Sequence, residues 1–464
     1  MITDKKSPYR MVSDEQLAKL RAREDELFRR RTVSSKQAYF EAQTNLLNGV
    51  PMPWMSDWGT EYPIFIDYAK GNRCVDIDGN SYIDFCLGDT GAMFGHSPEA
   101  MADRISKQVY CGITTMMPTL DSLDIGKELY KRFGLPYWQV AMTATEANRY
   151  SIRICRALTG RGKILSMNES YHGSLDETLP HINDEGNLAL RTVYDSNPAV
   201  PKDLLSRVVE FNDLDALEKE LAYEDCAAVL LEPLMTNCGM VLPDEGYHEK
   251  LRELCTKHGT YLIIDETHTL SNGYGGYTKA HGLKPDFLTL GKSIAGGIPV
   301  SVYGFTKVIA DKINDTFGKD GVSDPMGIGG TLAANQFAIA AMRETLLHVA
   351  TEEAFDKMFR GQERLSDGLE ALLKKYDIPW SITRSGARCE LQFMPTLPKS
   401  GSEAKDHFDW QLMYYTHIFL SNRGMIITPF HNMMLISPVT PDEDIDRLIS
   451  GWDECLAELI KGSN

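Results

Sequence analysis

The chain has no basic excess. Its 48 lysines and arginines face 65 aspartates and glutamates, a formal charge of -17, which argues against a nucleic-acid partner because phosphate binding needs a positive surface. It has no run of about 18 apolar residues, so no membrane-spanning helix is expected. The heavily charged stretch Met1–Arg31 lacks the apolar core of a secretory leader. Nine cysteines, at 74, 86, 111, 155, 226, 238, 255, 389 and 455, form no C-x-x-C pair. Neither a disulfide framework nor a structural zinc site is therefore expected, and no metal is assigned. Internal repeats and low-complexity tracts are absent as well. What remains is the expectation of a soluble, cytoplasmic protein with reduced thiols. At 464 residues, 43% of them hydrophobic, it is long enough for two or three domains.

The apolar material is arranged in two rhythms. Ser13-Asp14-Glu15-Gln16 has the form of a capping box and opens a helix carrying Leu17, Leu20, Leu27 and Phe28. Turns at Gly71-Asn72 and Asp78-Gly79-Asn80 separate short apolar runs and predict a small antiparallel meander. From about Pro98 short buried runs alternate with amphipathic segments such as Tyr247–His258. The runs are Gln139–Ala141, Lys163–Ser166, Ala227–Leu231, Tyr261–Ile264 and Phe287–Leu290. That alternation predicts a mostly parallel sheet with crossover helices, and Val300–Phe305 adds a strand of opposite direction. Beyond Asn335 a helical stretch runs to about Lys375, then strands at 389–393, 425–428 and 433–436, then a last helix from Asp442. The fold class is α/β. A large domain spans 95–345, and a smaller α+β lobe is assembled from 1–94 and 346–464.

Chemistry concentrates at strand ends. Ile263-Ile264-Asp265-Glu266 is an apolar strand ending in two carboxylates, at the edge where parallel sheets bind ligands; alone, it reads first as a helix cap or turn after a strand. The next apolar strand ends in Gly291-Lys292-Ser293, where glycine and small neighbours let a bulky group approach the amine. A lysine amine condenses with an aldehyde to an imine, and a carboxylate facing a pyridine nitrogen strengthens the ring as an electron sink. Thr143-Ala144-Thr145-Glu146 lies between a strand and a helix, and its hydroxyls and N–H groups suit an anion, although by themselves such residues at a helix start are usually plain caps. Tyr171-His172-Gly173 offers an aromatic face, or a structural tyrosine. Glu232 and Asn237 follow another strand, and Gly327-Ile328-Gly329-Gly330-Thr331 is a glycine-rich turn with one hydroxyl.

Taken in order, these motifs resemble the class III aminotransferases of the fold-type I pyridoxal-phosphate superfamily. The resemblance begins at Val75-Asp76-Ile77-Asp78-Gly79-Asn80-Ser81-Tyr82-Ile83-Asp84 and continues through Tyr171-His172-Gly173, Leu231-Glu232-Pro233, Asp265-Glu266, Gly291-Lys292 and Gly330-Thr331. It implies pyridoxal 5'-phosphate held as an imine on Lys292, with Asp265 as partner of the ring nitrogen. It implies phosphate contacts from Thr145 and the Ala144 N–H, stacking by Tyr171, and polar-edge contacts from Glu232 and Asn237. Thr331 would reach the phosphate of a neighbouring subunit, which implies a homodimer with shared active sites. The chain departs from the family where Ala144 replaces a glycine, where Thr267-His268-Thr269-Leu270 follows the two carboxylates, and where alanines replace a Ser-Gly pair after Thr331. His268 either shapes the site beside the ring or stands behind it.

The expected activity is amino transfer in two stages between an amine or amino acid and a carbonyl acceptor. The runner-up is an aminomutase of the glutamate-1-semialdehyde type, which the chain also resembles and which returns the amino group to a neighbouring carbon. For substrate, Trp54 and Trp58 suit an apolar pocket or an interface. Arg388 is the first candidate for a carboxylate partner and Arg384 the second, each alternatively a salt-bridge arginine.

Overall fold

The strand Cys226–Leu231 is apolar at every position, the composition of a strand covered on both faces, and all six of its residues are buried. It belongs to a seven-stranded sheet in a computed structural model that describes residues 5–190, 200–317 and 326–461. Across the sheet the order is Tyr137–Ala141, Ser301–Phe305, Phe287–Leu290, Tyr261–Asp265, Cys226–Leu231, Lys163–Met167 and Ser206–Val209. Only Ser301–Phe305 runs against its neighbours, as its sequence position suggests. The strand Ser206–Val209 is not foreseen. Its alternation is short, and it becomes a strand by pairing in parallel with Lys163–Met167.

Alternate residues of the central strands enter different cores. Cys226, Val229, Leu231, Leu262 and Ile264 pack with Leu217, Leu221, Leu251 and Leu254 of the helices Leu214–Leu221 and Tyr247–Lys257. Ala227, Leu230 and Ile263 pack on the opposite face with Ile152, Ile154 and Cys155 of the helix Ala144–Thr159. The sheet is therefore sandwiched between helices, and its parallel strands deliver their carboxyl ends to one edge.

By Cα proximity, residues 99–355 and 398–405 form one compact unit, and the remaining described residues form a second. In the second unit Ile66–Lys70, Arg73–Asp76 and Ser81–Asp84 make the expected antiparallel meander. Ser13 caps the helix Asp14–Arg31 by accepting from the Gln16 amide, as the capping box predicts. A three-stranded sheet, Ser381–Ser385, Arg388–Gln392 and Met433–Leu435, packs one face into an apolar core with Leu365, Leu369, Leu448 and Trp452. Among the described residues no helix is long and apolar enough to cross a membrane, and no cluster of side chains has the makings of a metal site.

Candidate active site

Five strand ends of the large sheet supply the polar side chains. Asp265 closes the strand Tyr261–Asp265 and is paired in register with Thr289 of the adjacent parallel strand. Its Oδ2 accepts from Asn148 Nδ2 at 2.8 Å and lies 3.0 Å from His172 Nδ1. Its Oδ1 accepts from the Thr267 amide at 3.0 Å. Asn148 is fixed in turn, since its Oδ1 accepts from the Thr289 hydroxyl at 2.7 Å and its Nδ2 also reaches the His172 carbonyl at 3.1 Å. Asp265, His172, Asn148 and Thr289 are all buried.

Burial alone pushes the Asp265 carboxyl up. The hydrogen bonds from His172, Thr267 and Asn148, with the His172 charge, outweigh it and hold the group at about 2. The result is a carboxylate ionised at neutral pH inside the protein, the state needed to face a protonated ring nitrogen. Its neighbours in sequence and space behave oppositely. Glu232 is pushed up by burial and by Asp265, against the pull of His172 and Thr236. Glu266 is pushed up by burial, although Thr269, Thr278 and the Tyr277 amide donate to it.

A candidate anion cradle lies where the strand Tyr137–Ala141 hands over to the helix Ala144–Thr159. Thr143 is the N-cap and accepts from the Glu146 amide at 3.3 Å, while Glu146 accepts from the Met142 amide at 2.8 Å. The amides of Ala144 and Thr145 belong to the first turn, whose N–H groups find no partner within a helix. Gly173, at φ +89°, passes so close that a Cβ there would lie 2.1 Å from the Thr145 hydroxyl oxygen. Only glycine leaves room for that approach. Gly291 does the same for the alanine that departs from the family pattern, since a Cβ on it would stand 3.0 Å from the Ala144 methyl.

Lys292 follows the strand Phe287–Leu290 with φ +49°, in the left-handed region that non-glycine residues rarely enter. Its Nζ lies 2.7 Å from Nε2 of His268, a buried residue three positions after Asp265. Tyr171 is 51% exposed and stands next to the buried His172. Asn237 Nδ2 reaches Thr236 Oγ1 at 3.3 Å and Glu232 Oε1 at 3.5 Å. Glu232 also accepts from the Thr236 hydroxyl at 2.5 Å.

These donors fit pyridoxal phosphate on grounds of the chain itself. There is a first-turn anion cradle that a Cβ at 173 would fill, a buried ionised carboxylate, an amine on a held backbone, and a buried His172 Nε2 with no hydrogen-bond partner among the described residues. Thr331 sits exposed on a turn before the helix Gln336–Glu344.

The substrate candidates belong to the second unit. Trp58 packs against Cys74, Tyr82, Cys86 and Ile426, with its ring 5.7 Å from that of His417. Trp54 is 48% exposed. Arg388 is buried and donates to Thr90 Oγ1 at 2.8 Å. Arg384 instead forms ion pairs with Asp367 and Glu370, the surface arrangement of a salt-bridge arginine.

Three contributors carry no assigned role in the sequence reading: Asn148, His172 and Thr289. His172 stands inside a quoted motif. Asn148 lies three residues beyond Thr145, hence one helical turn along the same face, and that spacing is the signal that finds it.

The profile of the family described as class-III aminotransferase matches residues 54–456. The chain is 29% identical over 435 residues to the glutamate-1-semialdehyde 2,1-aminomutase of Persephonella marina, covering 92% of this chain and 99% of that protein. It is 32% identical over 440 residues to glutamate-1-semialdehyde 2,1-aminomutase 2 of Brevibacillus brevis, with 92% and 99% covered. The crystal structure of a glutamate-1-semialdehyde-aminomutase from Pseudomonas aeruginosa PAO1 superposes with a TM-score of 0.94 at 46% identity, covering 97% of this chain and 99% of that one. A lysine-to-alanine variant of that enzyme, in complex with PMP, gives the same TM-score of 0.94. An omega-transaminase from Sphaerobacter thermophilus shares the fold, with a TM-score of 0.82 at 24% identity over 92% of this chain and 97% of that one. The chain therefore belongs to the class-III aminotransferase family, a fold-type I family whose cofactor is pyridoxal phosphate.

Proposed function

We propose that the protein is a pyridoxal-phosphate-dependent aminomutase that moves an amino group between adjacent carbons of one amino aldehyde of the glutamate-1-semialdehyde type. The observation that carries this reading is the 46% identity over 97% of the chain to the Pseudomonas aeruginosa enzyme of that name. It reverses the order of the two readings drawn from the sequence, in which two-substrate amino transfer stood first.

When bound, the cofactor supplies the electron sink that lets a C–H bond beside the nitrogen ionise. The chain does the rest. Lys292 anchors the cofactor through Nζ, and its freed amine takes a proton from one substrate carbon and returns it elsewhere. Asp265 accepts from the ring N–H and keeps it protonated. The Ala144 and Thr145 amides and the Thr145 hydroxyl hold the phosphate. Tyr171 lies against the ring, and Asn237 and Glu232 hold its polar edge. Arg388 takes the substrate carboxylate, and Trp58 lines the approach.

The working unit in this reading is a cytoplasmic homodimer in which Thr331 reaches the partner's phosphate. Nine free cysteines fit a reducing compartment. The exposed side chains of Tyr110, Ile113, Met116, Met117 and Leu120 form an apolar stretch suited to an isologous contact.

The deciding experiment supplies the holoenzyme with glutamate 1-semialdehyde alone and follows the product by NMR. Stoichiometric conversion to the amino-ketone isomer, with no keto acid added or consumed, is the expected result. An obligatory keto-acid acceptor would overturn it in favour of two-substrate amino transfer.

A further inference from the structure

We propose that Thr90 is a positioning residue for Arg388: the left-handed turn Leu87–Thr90 places its hydroxyl so that the guanidinium is aimed at a substrate carboxylate. This deepens the proposed function and rests on Arg388 being the carboxylate's partner.

Four consecutive residues, Leu87, Gly88, Asp89 and Thr90, have φ of +47°, +58°, +48° and +81°. In that region the Cβ of an L-residue crowds the following carbonyl oxygen, and a β-branched side chain there is a genuine outlier. Glycine would take φ +81° without the clash, so what threonine adds at position 90 is its side chain. The surroundings enforce the conformation. Asp84 Oδ1 accepts from the Cys86 and Leu87 amides, each at 2.8 Å. Its Oδ2 lies 2.8 Å from His96 Nε2, which ties the start of the loop to its end. Between them the Leu87 carbonyl accepts from the Ala92 amide at 2.9 Å, and the Thr90 carbonyl accepts from the Met93 amide at 3.1 Å. Leu87 and Thr90 are buried, while Gly88 is exposed. An unfavourable backbone conformation clamped from several sides points to a functional position.

The side chain aims an arginine. Thr90 Oγ1 accepts from Arg388 Nη2 at 2.8 Å across 298 positions of sequence, and both residues belong to the second unit. Arg388 opens the strand Arg388–Gln392, paired with Ser385 on one side and Leu435 on the other. Two strands therefore fix its backbone, and Thr90 fixes the far end of its side chain. A guanidinium is a rigid plane of five N–H donors. One of them given to Thr90 sets that plane, and a set plane is what side-by-side recognition of two carboxylate oxygens requires. A hydroxyl also orients the guanidinium without cancelling its charge. Arg384 shows the contrast, since its partners are the carboxylates of Asp367 and Glu370.

The test uses the holoenzyme with pentanoate and its neutral counterpart pentanamide. Both share the five-carbon chain of glutamate 1-semialdehyde, and neither carries an amine or aldehyde that would enter the reaction. Each Kd is read from the change in the cofactor's absorption band. Wild type is expected to prefer pentanoate at least about thirtyfold. Thr90→Val keeps the branched shape and removes the hydroxyl, and Thr90→Gly removes it while relaxing the turn. Both are expected to cut the preference about tenfold, the weight of one hydrogen bond to a charged group. Thr90→Ser keeps the hydroxyl and is expected to keep the preference. A merely structural Thr90 would weaken both ligands alike, so an unchanged preference in the valine and glycine variants would overturn the proposal. Loss of the preference with serine would overturn it too. Arg388→Gln separates the two claims. A carboxylate preference that survives this change sinks the role of Arg388 itself, whereas one lost here and kept in Thr90→Val overturns the role of Thr90 alone.

Discussion

The polar cluster around Asp265 and the polar face of the strand Arg388–Gln392 are equally buried and differently completed. Around Asp265 every charge meets a donor: Asn148, His172 and the Thr267 amide converge on one carboxylate, and Thr289 fixes Asn148 behind it. Along the other strand, Arg388, Glu390 and Gln392 share one face by the two-residue period of a strand. There neither carboxylate oxygen of Glu390 has a hydrogen-bond partner among the described residues, although His431 Nδ1 lies 3.2 Å from Oε1. Thr383 Oγ1 and Gln392 Nε2 are likewise without one. In the first region the carboxylate itself is organised before any ligand arrives, with His172 Nε2 and Thr267 Oγ1 left open beside it among the described residues. The second holds unspent donors and acceptors, each costing about 1–3 kcal/mol unless water or a ligand meets it.

The comparison can be broken most forcefully at its completed end. Asp265→Ala leaves the buried His172 and Asn148 facing a lost charge, and about 3–5 kcal/mol of stability should disappear in urea unfolding. A loss below about 1 kcal/mol would show that the cluster is not prepaid by its own neighbours.

Acid should reveal the same cluster. Asp265 is held at about 2, below its ordinary value of 3.8, so its contribution is present above about pH 4 and is lost as pH falls through about 2. It amounts to about 2 kcal/mol. Glu232 and Glu266 have the opposite sign, because their raised carboxyls favour the folded state at low pH and lose that advantage as pH rises through their folded values. The stability difference between wild type and Asp265→Asn should therefore shrink between pH 4 and pH 2. A constant difference would remove the linkage.

Beside the cluster, Gly173→Ala should push Thr145 out of the anion cradle, because the added carbon has nowhere to sit. Cofactor Kd is expected to rise about tenfold, roughly 1.4 kcal/mol, in a titration of the apoprotein, with the fold retained by circular dichroism. At the uncompleted end the effect should be smallest. Glu390→Gln keeps the shape and an acceptor oxygen towards His431 Nδ1, 3.2 Å from Oε1, so the change should stay within about 1 kcal/mol. A loss as large as that at Asp265 would erase the contrast between the two regions.

The strand-end residues were legible because they follow local rules. An apolar run ending in Asp265-Glu266, and another ending in Gly291-Lys292, mark the carboxyl edge of a parallel sheet whatever lies between them. The helix start at Thr143–Thr145 and the capped helix at Ser13 are equally local, and both occur where they are expected. Less local elements escaped. The strand Ser206–Val209, the hairpin of Pro180–Ile182 and Leu188–Leu190, and the strand Ser381–Ser385 are short, and pairing with distant partners makes them strands. The helical stretch after Asn335 is likewise interrupted by a π-turn at Thr345–Val349.

By itself, then, the sequence determined the α/β architecture and marked a lysine, an aspartate and a helix start at the carboxyl edge of the sheet, because periodicity, caps and strand ends are set within about ten residues. The tertiary structure alone decided how those groups are charged and held. Asn148 meets an aspartate 117 positions away, Thr289 meets Asn148 across 141, and Lys292 meets His268 across 24. Hydrogen bonds and desolvation act over a few ångströms of space, and only the folded chain brings those separations to that range.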